Sequence, residues 1–356
     1  MNTVGVPSLD DARLDRRIQR AAEALFKRQS ADGHWIFELE ADATIPAEYI
    51  LLRQFLDEPA DPELERKIGV YLRRGQAGHH GWPLVRGGPF DLSASIKAYY
   101  ALKMIGDDPD SPHMAQARAA IRAHGGPHAA NVFTRIQLAL FGQMSWDRIP
   151  TMPVELMLLP AWFPIHLSKM SYWARTVIVP LLVLQALRPV ARNPRGIGVA
   201  ELYDGAAAIR PASKAADTKW AWTFGFNVLD RVLKAAEPFW PKRLRARAIE
   251  ACRDFVSERL NGEDGLGAIY PAMANSVMMF DALGVPADHP ERVAARASVE
   301  RLLVIKADEA YCQPCVSPVW DTALVCHALL ELDDEASRAA AAAGLAWLKP
   351  RQVLDL

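Results

Sequence analysis

Cysteine is scarce. Four thiols in 356 residues cannot form the disulfide framework of a small secreted protein, and reduced thiols are the simpler reading. Neither sign of charge is in excess. Forty-one Lys and Arg against 42 Asp and Glu leave a net charge of -1, which gives no electrostatic reason to expect nucleic acid as a partner. Long apolar runs are missing as well. The longest, Val177 to Leu187, contains Pro180 and Gln185 and lies between Arg175 and Arg188, whereas a membrane-spanning helix takes roughly 20 apolar residues. Met1 to Arg20 carries Asp10, Asp11 and Asp15 among several arginines and has no apolar core of the signal-peptide kind, so the expectation is a protein that is not exported. There is no glycine-rich phosphate loop and no Gly-x-Ser-x-Gly nucleophile motif. Cys312-Gln-Pro-Cys315 has the spacing of a redox or zinc half-site, but no second Cys or His pair completes it. His124 and His128 are separated by Gly125-Gly126-Pro127 and do not share a helix face. Neither a metal nor a cofactor is expected.

What the chain does contain is helical periodicity. Hydrophobic residues make up 51% and charged residues 23%, a globular balance, and the length suits two domains or one large helical domain. Ile18, Ala21, Ala22, Leu25 and Phe26 recur at spacings of three and four, the mark of an amphipathic helix. Similar stripes run through 50–55, 68–72, 96–105, 133–141, 228–235 and 322–332. Breakers such as Gly87-Gly88-Pro89 and Gly284-Val285-Pro286 separate them. No run alternates as a strand would. The fold class is all-α, built from helical hairpins.

A weak repeat punctuates the helices. Gln29-Ser-Ala-Asp-Gly33-His-Trp35 closes the first, and Gln76-Ala-Gly-His-His-Gly81-Trp82 closes a later one in a degenerate copy. A glycine just past a helix end adopts the left-handed conformation cheaply. The Gln amide is expected to bond the exposed helix ends, with the Trp over the following turn. Two unrelated helix stops are the bland alternative. Ala346-Trp347-Leu348-Lys349-Pro350-Arg351-Gln352 looks like Ala24-Leu25-Phe26-Lys27-Arg28-Gln29 with one residue inserted. The sequence ends at Leu356 before the glycine and tryptophan of such a copy, which predicts a chain cut inside a repeat. The stripe Leu324, Val325, Ala328, Leu329 and Leu332 is then expected to lack most of its partners.

Gln-x-x-x-Gly-x-Trp resembles the QW-type repeat of triterpene cyclases. Five further segments fall in that family's order and approximate spacing: Ala47–Leu52, Gly87–Leu92, Val132–Arg135, Ser171–Arg175 and Ser317–Thr322. From about residue 15 onward the chain resembles the N-terminal part of a squalene–hopene cyclase. The resemblance implies an α/α toroid in which two helical barrels face a large apolar cavity. Residues 39–315 would be the inserted barrel, while 1–38 and 316–356 would belong to an incomplete outer one. It also implies cyclisation of squalene, or a similar linear triterpene, to hopene, with hopanol from water addition. The setting would be monotopic, at the cytoplasmic face of the cell membrane, and compatible with a homodimer. The family's acid motif, Asp-x-Asp-Asp, is expected beyond the last residue. Asp107-Asp108-Pro109-Asp110 and Asp333-Asp334-Glu335 have the wrong order and read as solvated charge, so no catalytic residue is assigned. The rival reading is a non-catalytic lipid-binding or interaction module derived from a truncated cyclase, and a downstream acid motif discriminates the two.

Protonating an alkene takes a strong acid, and the carbocations that follow must be kept from water. Aromatic faces attract cations by about 0.5–2 kcal/mol each. By resemblance, Trp173, Trp320 and Phe133 line the cavity, although a Trp on an apolar helix is by itself more often core. Ile269, Tyr270 and Pro271 match a segment that shapes the cavity, with a helix start as the bland reading. Glu48 matches a position near the cavity's polar end, or is a helix-surface carboxylate. Met170 and Ile178 match the entry channel. Trp220, Trp222, Phe224 and Phe226 lead toward Phe239-Trp240 among Lys219, Arg231 and Lys234. Such a segment suits a membrane interface, with rings at headgroup depth and cations outward; a buried aromatic helix is the alternative.

Overall fold

The computed structural model describes residues 11–203, 220–236, 240–260 and 265–352, and helices dominate it. In chain order they are α1 (Asp11–Phe26), α2 (Thr44–Leu56), α3 (Pro62–Gly75), α4 (Leu92–Met104), α5 (Pro112–Ala123), α6 (Gly126–Ala129) and α7 (Val132–Leu140). Then follow α8 (Tyr172–Leu187), α9 (Trp220–Ala236), α10 (Lys242–Arg259), α11 (Tyr270–Ala282), α12 (Pro290–Glu300), α13 (Pro318–Leu330) and α14 (Glu335–Leu348). The chain divides into two compact units, Leu39–Cys315 and Met1–Glu38 with Val316–Leu356. The fold is all-α, of the α/α toroid type.

In the larger unit the helices form two rows, and their sequences dictate which row each joins. Helix α2 buries nearly every residue from Ile45 to Phe55, α4 every residue from Ser93 to Leu102, and α8 every residue from Val179 to Gln185. Helix α11 buries Tyr270, Ala272, Met273, Ala274, Ser276, Val277, Met279 and Phe280. A helix apolar all round must have neighbours all round. These four make the inner row, with α8 against α11, α11 against α2 and α2 against α4. The outer helices bury one stripe only: Leu64, Ile68 and Leu72 on α3; Met114, Ala117 and Ile121 on α5; Ala248, Cys252 and Val256 on α10. They back the inner row, α10 on α8, α12 on α11 and α5 on α4. Each large aliphatic so buried contributes roughly 1.5–3 kcal/mol. Side-chain caps start several helices, with Asp91 accepting from Ala94 N, Asn131 from Thr134 N and Ser171 from Ala174 N.

Among the described residues one small sheet breaks the helical pattern. Strands β1 (Leu303–Ile305) and β2 (Ala310–Cys312) pair antiparallel, Val304 opposite Tyr311. Three residues per strand are too few for alternation to register in a sequence.

The smaller unit has its own cluster of Ala22, Trp35, Val325, Cys326, Leu329 and Ala341, with Leu25, Phe26, Phe37 and Leu332 packed around it. This corrects in part the expectation that the α13 stripe lacks most of its partners: Val325 and Leu329 are buried here and Leu332 packs on the cluster, while Leu324 and Ala328 are exposed. Thr322, Val325, Cys326 and Leu329 share one helical face and are buried, while Trp320, Leu324 and Leu330 lie on the other and are exposed.

The two repeat copies close their corners with the same bonds. Trp35 Nε1 donates to Leu25 O at 2.8 Å and Trp82 Nε1 to Leu72 O at 2.7 Å, each ten residues back. The backbone N–H of Trp35 donates to Thr322 Oγ1, and that of Trp82 to Ser95 Oγ, both at 2.9 Å. Gln29 Nε2 donates to Gly33 O and to Ala340 O on α14; Gln76 Nε2 donates to His80 O and to His113 O on α5. The amide therefore joins its own turn to a distant helix rather than sealing the helix it follows. The glycines also differ in duty. Gly33 is left-handed at φ 100°, but in the second copy the left-handed residue is His80, at φ 64°. Gly81 is needed for space, since a Cβ there would overlap the Phe90 ring and the Ser95 hydroxyl.

A left-handed conformation costs a side-chain-bearing residue about 1–2 kcal/mol, which glycine avoids at some cost in chain entropy. His80→Gly is therefore expected to stabilise the larger unit by about 0.5–1 kcal/mol, a rise in melting temperature of roughly 1–4 °C. Thermal denaturation followed by circular dichroism checks this, and an unchanged or lowered midpoint would count against it.

Candidate functional site

A cavity of about 430 Å³ lies in the larger unit, within the roughly 300–1,000 Å³ span of small-molecule sites. The inner row makes most of its wall: Leu51, Leu52 and Phe55 from α2, Val177 and Leu181 from α8, and Ala274 and Met278 from α11. Helix α7 adds Phe133, Ile136 and Leu140, and Phe141 follows it. Three phenyl rings, Phe55, Phe133 and Phe141, thus stand among the aliphatic side chains of the lining. The wall suits a hydrocarbon, and its rings suit developing positive charge.

Its polar groups are few. Glu48 Oε1 on α2 is ion-paired with Lys97 Nζ on α4, with the two side chains 20% and 7% exposed. Either charge alone would be costly in these surroundings, and each satisfies the other. Tyr270 opens α11 after Ile269, its N–H donating to Pro314 O at 2.8 Å, and its side chain is fully buried. Its hydroxyl has no hydrogen-bond partner among the described residues. Burial first, and then the Glu48 carboxylate, push that phenol well above its ordinary pKa, so it remains a neutral O–H donor. Gln137 Oε1 is likewise buried without a partner among the described residues. Asp42, Thr44, Asn131 and Asn275 complete the polar lining.

Of the residues singled out from the sequence, Glu48, Phe133, Tyr270 and Pro271 come together at this cavity. Ile269 is half-buried and forms an isolated bridge with Cys315 just before Tyr270. Trp173, on the first turn of α8, is 55% exposed and donates from Nε1 to Gly267 O at 3.1 Å, outside the lining. Trp320 belongs to the smaller unit, where it is 64% exposed on α13. Met170 is half-buried in the turn before α8, and Ile178 half-buried on it; their neighbours Val177 and Leu181 line the cavity and they do not. The backbones of Trp220, Trp222, Phe224 and Phe226 form the first part of α9, but their side chains, and all of Phe239, lie outside the described residues. No helix among the described residues is long and apolar enough to cross a membrane.

Sequence reasoning missed Lys97, Asn131, Gln137 and Asn275. Lys97 carried a usable signal. It stands among Ile96, Ala98, Tyr99 and Tyr100 in a stretch too apolar for a surface helix, and a charge placed there must find a partner. Asn131 was hidden by its other role as the cap of α7.

The description "Squalene-hopene cyclase N-terminal domain" matches residues 18–308. The squalene–hopene cyclase of Zymomonas mobilis is 61% identical over 345 residues, 95% of this chain and 52% of that protein. That of Bradyrhizobium diazoefficiens is 55% identical over 344 residues, 96% and 52% of the two chains. Dammaradiene synthase of Dryopteris crassirhizoma is 32% identical over 353 residues, 99% and 50% of the two. The chain spans about half the length of the curated relatives it matches. The two helical rows, the repeated Gln–Trp corners and the apolar cavity agree with these matches, and the chain belongs to the squalene–hopene cyclase N-terminal domain family.

Proposed function

We propose that this chain supplies the cavity wall of a triterpene cyclase that folds squalene and closes it to hopene, with hopanol from water addition, in hopanoid biosynthesis. The observation that carries the reading is the 430 Å³ apolar cavity with Phe55, Phe133 and Phe141 on its walls. The likeness to proteins named squalene–hopene cyclase supports the choice of hydrocarbon. In this reading Phe133, Tyr270 and Pro271 shape the bound chain, Glu48 marks the polar end, and Met170 and Ile178 border its entry. The dry wall protects cationic intermediates from water, and the rings stabilise them by about 0.5–2 kcal/mol apiece.

The starting step needs a carboxylic acid strong enough to protonate an alkene, kept charged with its proton by crowded carboxyl groups. The 356 residues contain no Asp-x-Asp-Asp, so in our reading these residues bind and shape but do not initiate. Incubated with squalene in detergent, the 356-residue chain is expected to yield no hopene by gas chromatography. Clear turnover would show that another group here serves as the acid.

The same reading places the protein on the cytoplasmic face of the cell membrane, as a monotopic protein. Helix α9 supports it, with Val228, Leu229 and Val232 exposed on the helix that also carries Arg231. An apolar face flanked by cations suits burial at headgroup depth. Trp222→Glu and Phe226→Glu are each expected to reduce the fraction of protein that floats with anionic liposomes by at least about half. Equal flotation of both variants and the wild type would mean that these rings belong to a core.

A further inference from the structure

Acids number 42 in 356 residues, yet the 45 residues between Glu155 and Glu201 contain none. Five Lys and Arg stand in that span. Arg192 and Arg195 are answered from elsewhere in the fold, by Asp281 and Glu65. Lys169 Nζ donates to Phe163 O at 2.9 Å, and Arg175 Cζ lies 6.0 Å from the centre of the Tyr172 ring. Neither of these two cations meets a carboxylate among the described residues. The bond to Phe163 sets the Lys169 ammonium against the loop 159–165. There Trp162 is 76% exposed, more than any other large hydrophobic side chain described, and Ile165 is 50% exposed. Phe163 packs edge-on against the Trp162 ring with centroids 5.8 Å apart. Rings and aliphatics grouped in water mark a contact surface.

The loop holds its shape without burying these side chains. Phe163 N–H donates to Pro160 O at 2.9 Å and His166 N–H to Phe163 O at 3.1 Å, two turns in succession. Pro164 takes the second place of the later turn, where its fixed φ fits. Pro160 and Pro164 carry no N–H at all. The turns therefore push the rings forward with fewer amides left needing water, which suits entry into a lipid headgroup layer. The loop leaves the 3₁₀ turn Val154–Leu158, which packs on α8 and α10, and Thr151 N–H just before that turn donates to Asp230 Oδ1 of α9 at 2.7 Å. The loop and α9 thus adjoin one segment. We propose that the loop 159–165 is a second point of contact with the bilayer, set for anionic phospholipid: Trp162, Phe163 and Ile165 enter the headgroup layer, and Lys169 and Arg175 meet lipid phosphates. Rings at headgroup depth beside cations are the composition such a surface selects. The proposal rests on the monotopic reading and adds to it a site apart from α9 and a preference for lipid charge.

Flotation of the full 356-residue chain with vesicles of phosphatidylcholine alone, and of phosphatidylcholine mixed with phosphatidylglycerol, tests it. Binding to the mixed vesicles is expected to be at least about fivefold stronger, the worth of one cation at an anionic surface. That margin should close at about 1 M salt, where exposed charges are screened. Trp162→Gln is expected to weaken binding to the mixed vesicles at least about threefold. Because the ring stands largely in water, this variant should keep the wild-type melting temperature, which circular dichroism checks. Vesicles with brominated acyl chains add a second reading: they should quench tryptophan emission more in the wild type than in Trp162→Phe, which keeps a ring but loses the indole. Equal binding to the two kinds of vesicle, or binding and quenching unmoved by the Trp162 variants, would overturn the inference while leaving the α9 reading in place. A chain that binds neither kind of vesicle would overturn both.

Discussion

Everything in the larger unit depends on four helices having neighbours on every side. Once the middle turns of α2, α4, α8 and α11 are enclosed on every side, few polar groups there can turn to water, and most are answered from within. Ser276 Oγ donates to Met273 O, Thr176 Oγ1 to Trp173 O, and Ser95 Oγ to Asp91 O, all within one helical turn. Charges cannot be answered so cheaply. Glu48 and Lys97 reach across from α2 to α4 and meet, which fixes the spacing of those helices beside the cavity. The cavity is then the place where inner-row packing gives way, and the Glu48–Lys97 pair stands in its wall.

The outer row does a different job, carried by charge. Arg195 makes two 2.9 Å bonds to the Glu65 carboxylate on α3 while donating to Met104 O at the end of α4. Arg192 bonds both Asp281 oxygens at 3.0 Å, and Arg296 grips Glu58 from α12. Bidentate pairs of this kind add direction as well as energy, and here they tie the segment after α8 to helices far off in sequence. Asp107 shows how the local electrostatics resolve. Burial works against its charge, but bonds from Arg73 and His113 hold its pKa below the usual carboxylate range. Its contribution to stability is therefore present above the ordinary Asp pKa and is lost as pH falls through the depressed one.

How much of this was legible depended on the range of the signal. The stripes at 68–72 and 322–332 announced helices because periodicity of three and four needs only a dozen residues to register. Glu48 and Phe133 were named from ordered motifs and Tyr270 from a further segment match, and all three line one cavity although up to 222 positions apart, Tyr270 from Glu48. Lys97 went unnoticed because its motif-free helix offered no match, and because a single lysine in an apolar run is easily taken as noise. The left-handed role of His80 was invisible for another reason: Gly81 beside it looked like the natural choice, and only the Phe90 ring reveals that this glycine answers to space. The stripe on α13 was misjudged in part, because partners for Val325 and Leu329 come from Ala22 and Trp35 some 300 residues earlier, whereas Leu324 and Ala328 are exposed as expected.

The Gln–Trp corners bear on the order in which such a chain assembles. Each Trp indole bonds a carbonyl only ten residues back, and loops of that size close in roughly 10–100 ns. Each Gln amide closes on a carbonyl four residues ahead and still holds a second N–H for a remote helix, 311 residues on for Gln29 and 37 for Gln76. A corner can thus be set locally, at little cost in chain entropy, and wait with one unspent donor pointing at its partner's place. Long-range closure becomes the docking of a finished helix end onto a prepared acceptor-seeking corner, and a fold whose termini must find each other across the whole chain is spared a search in which both ends are disordered at once.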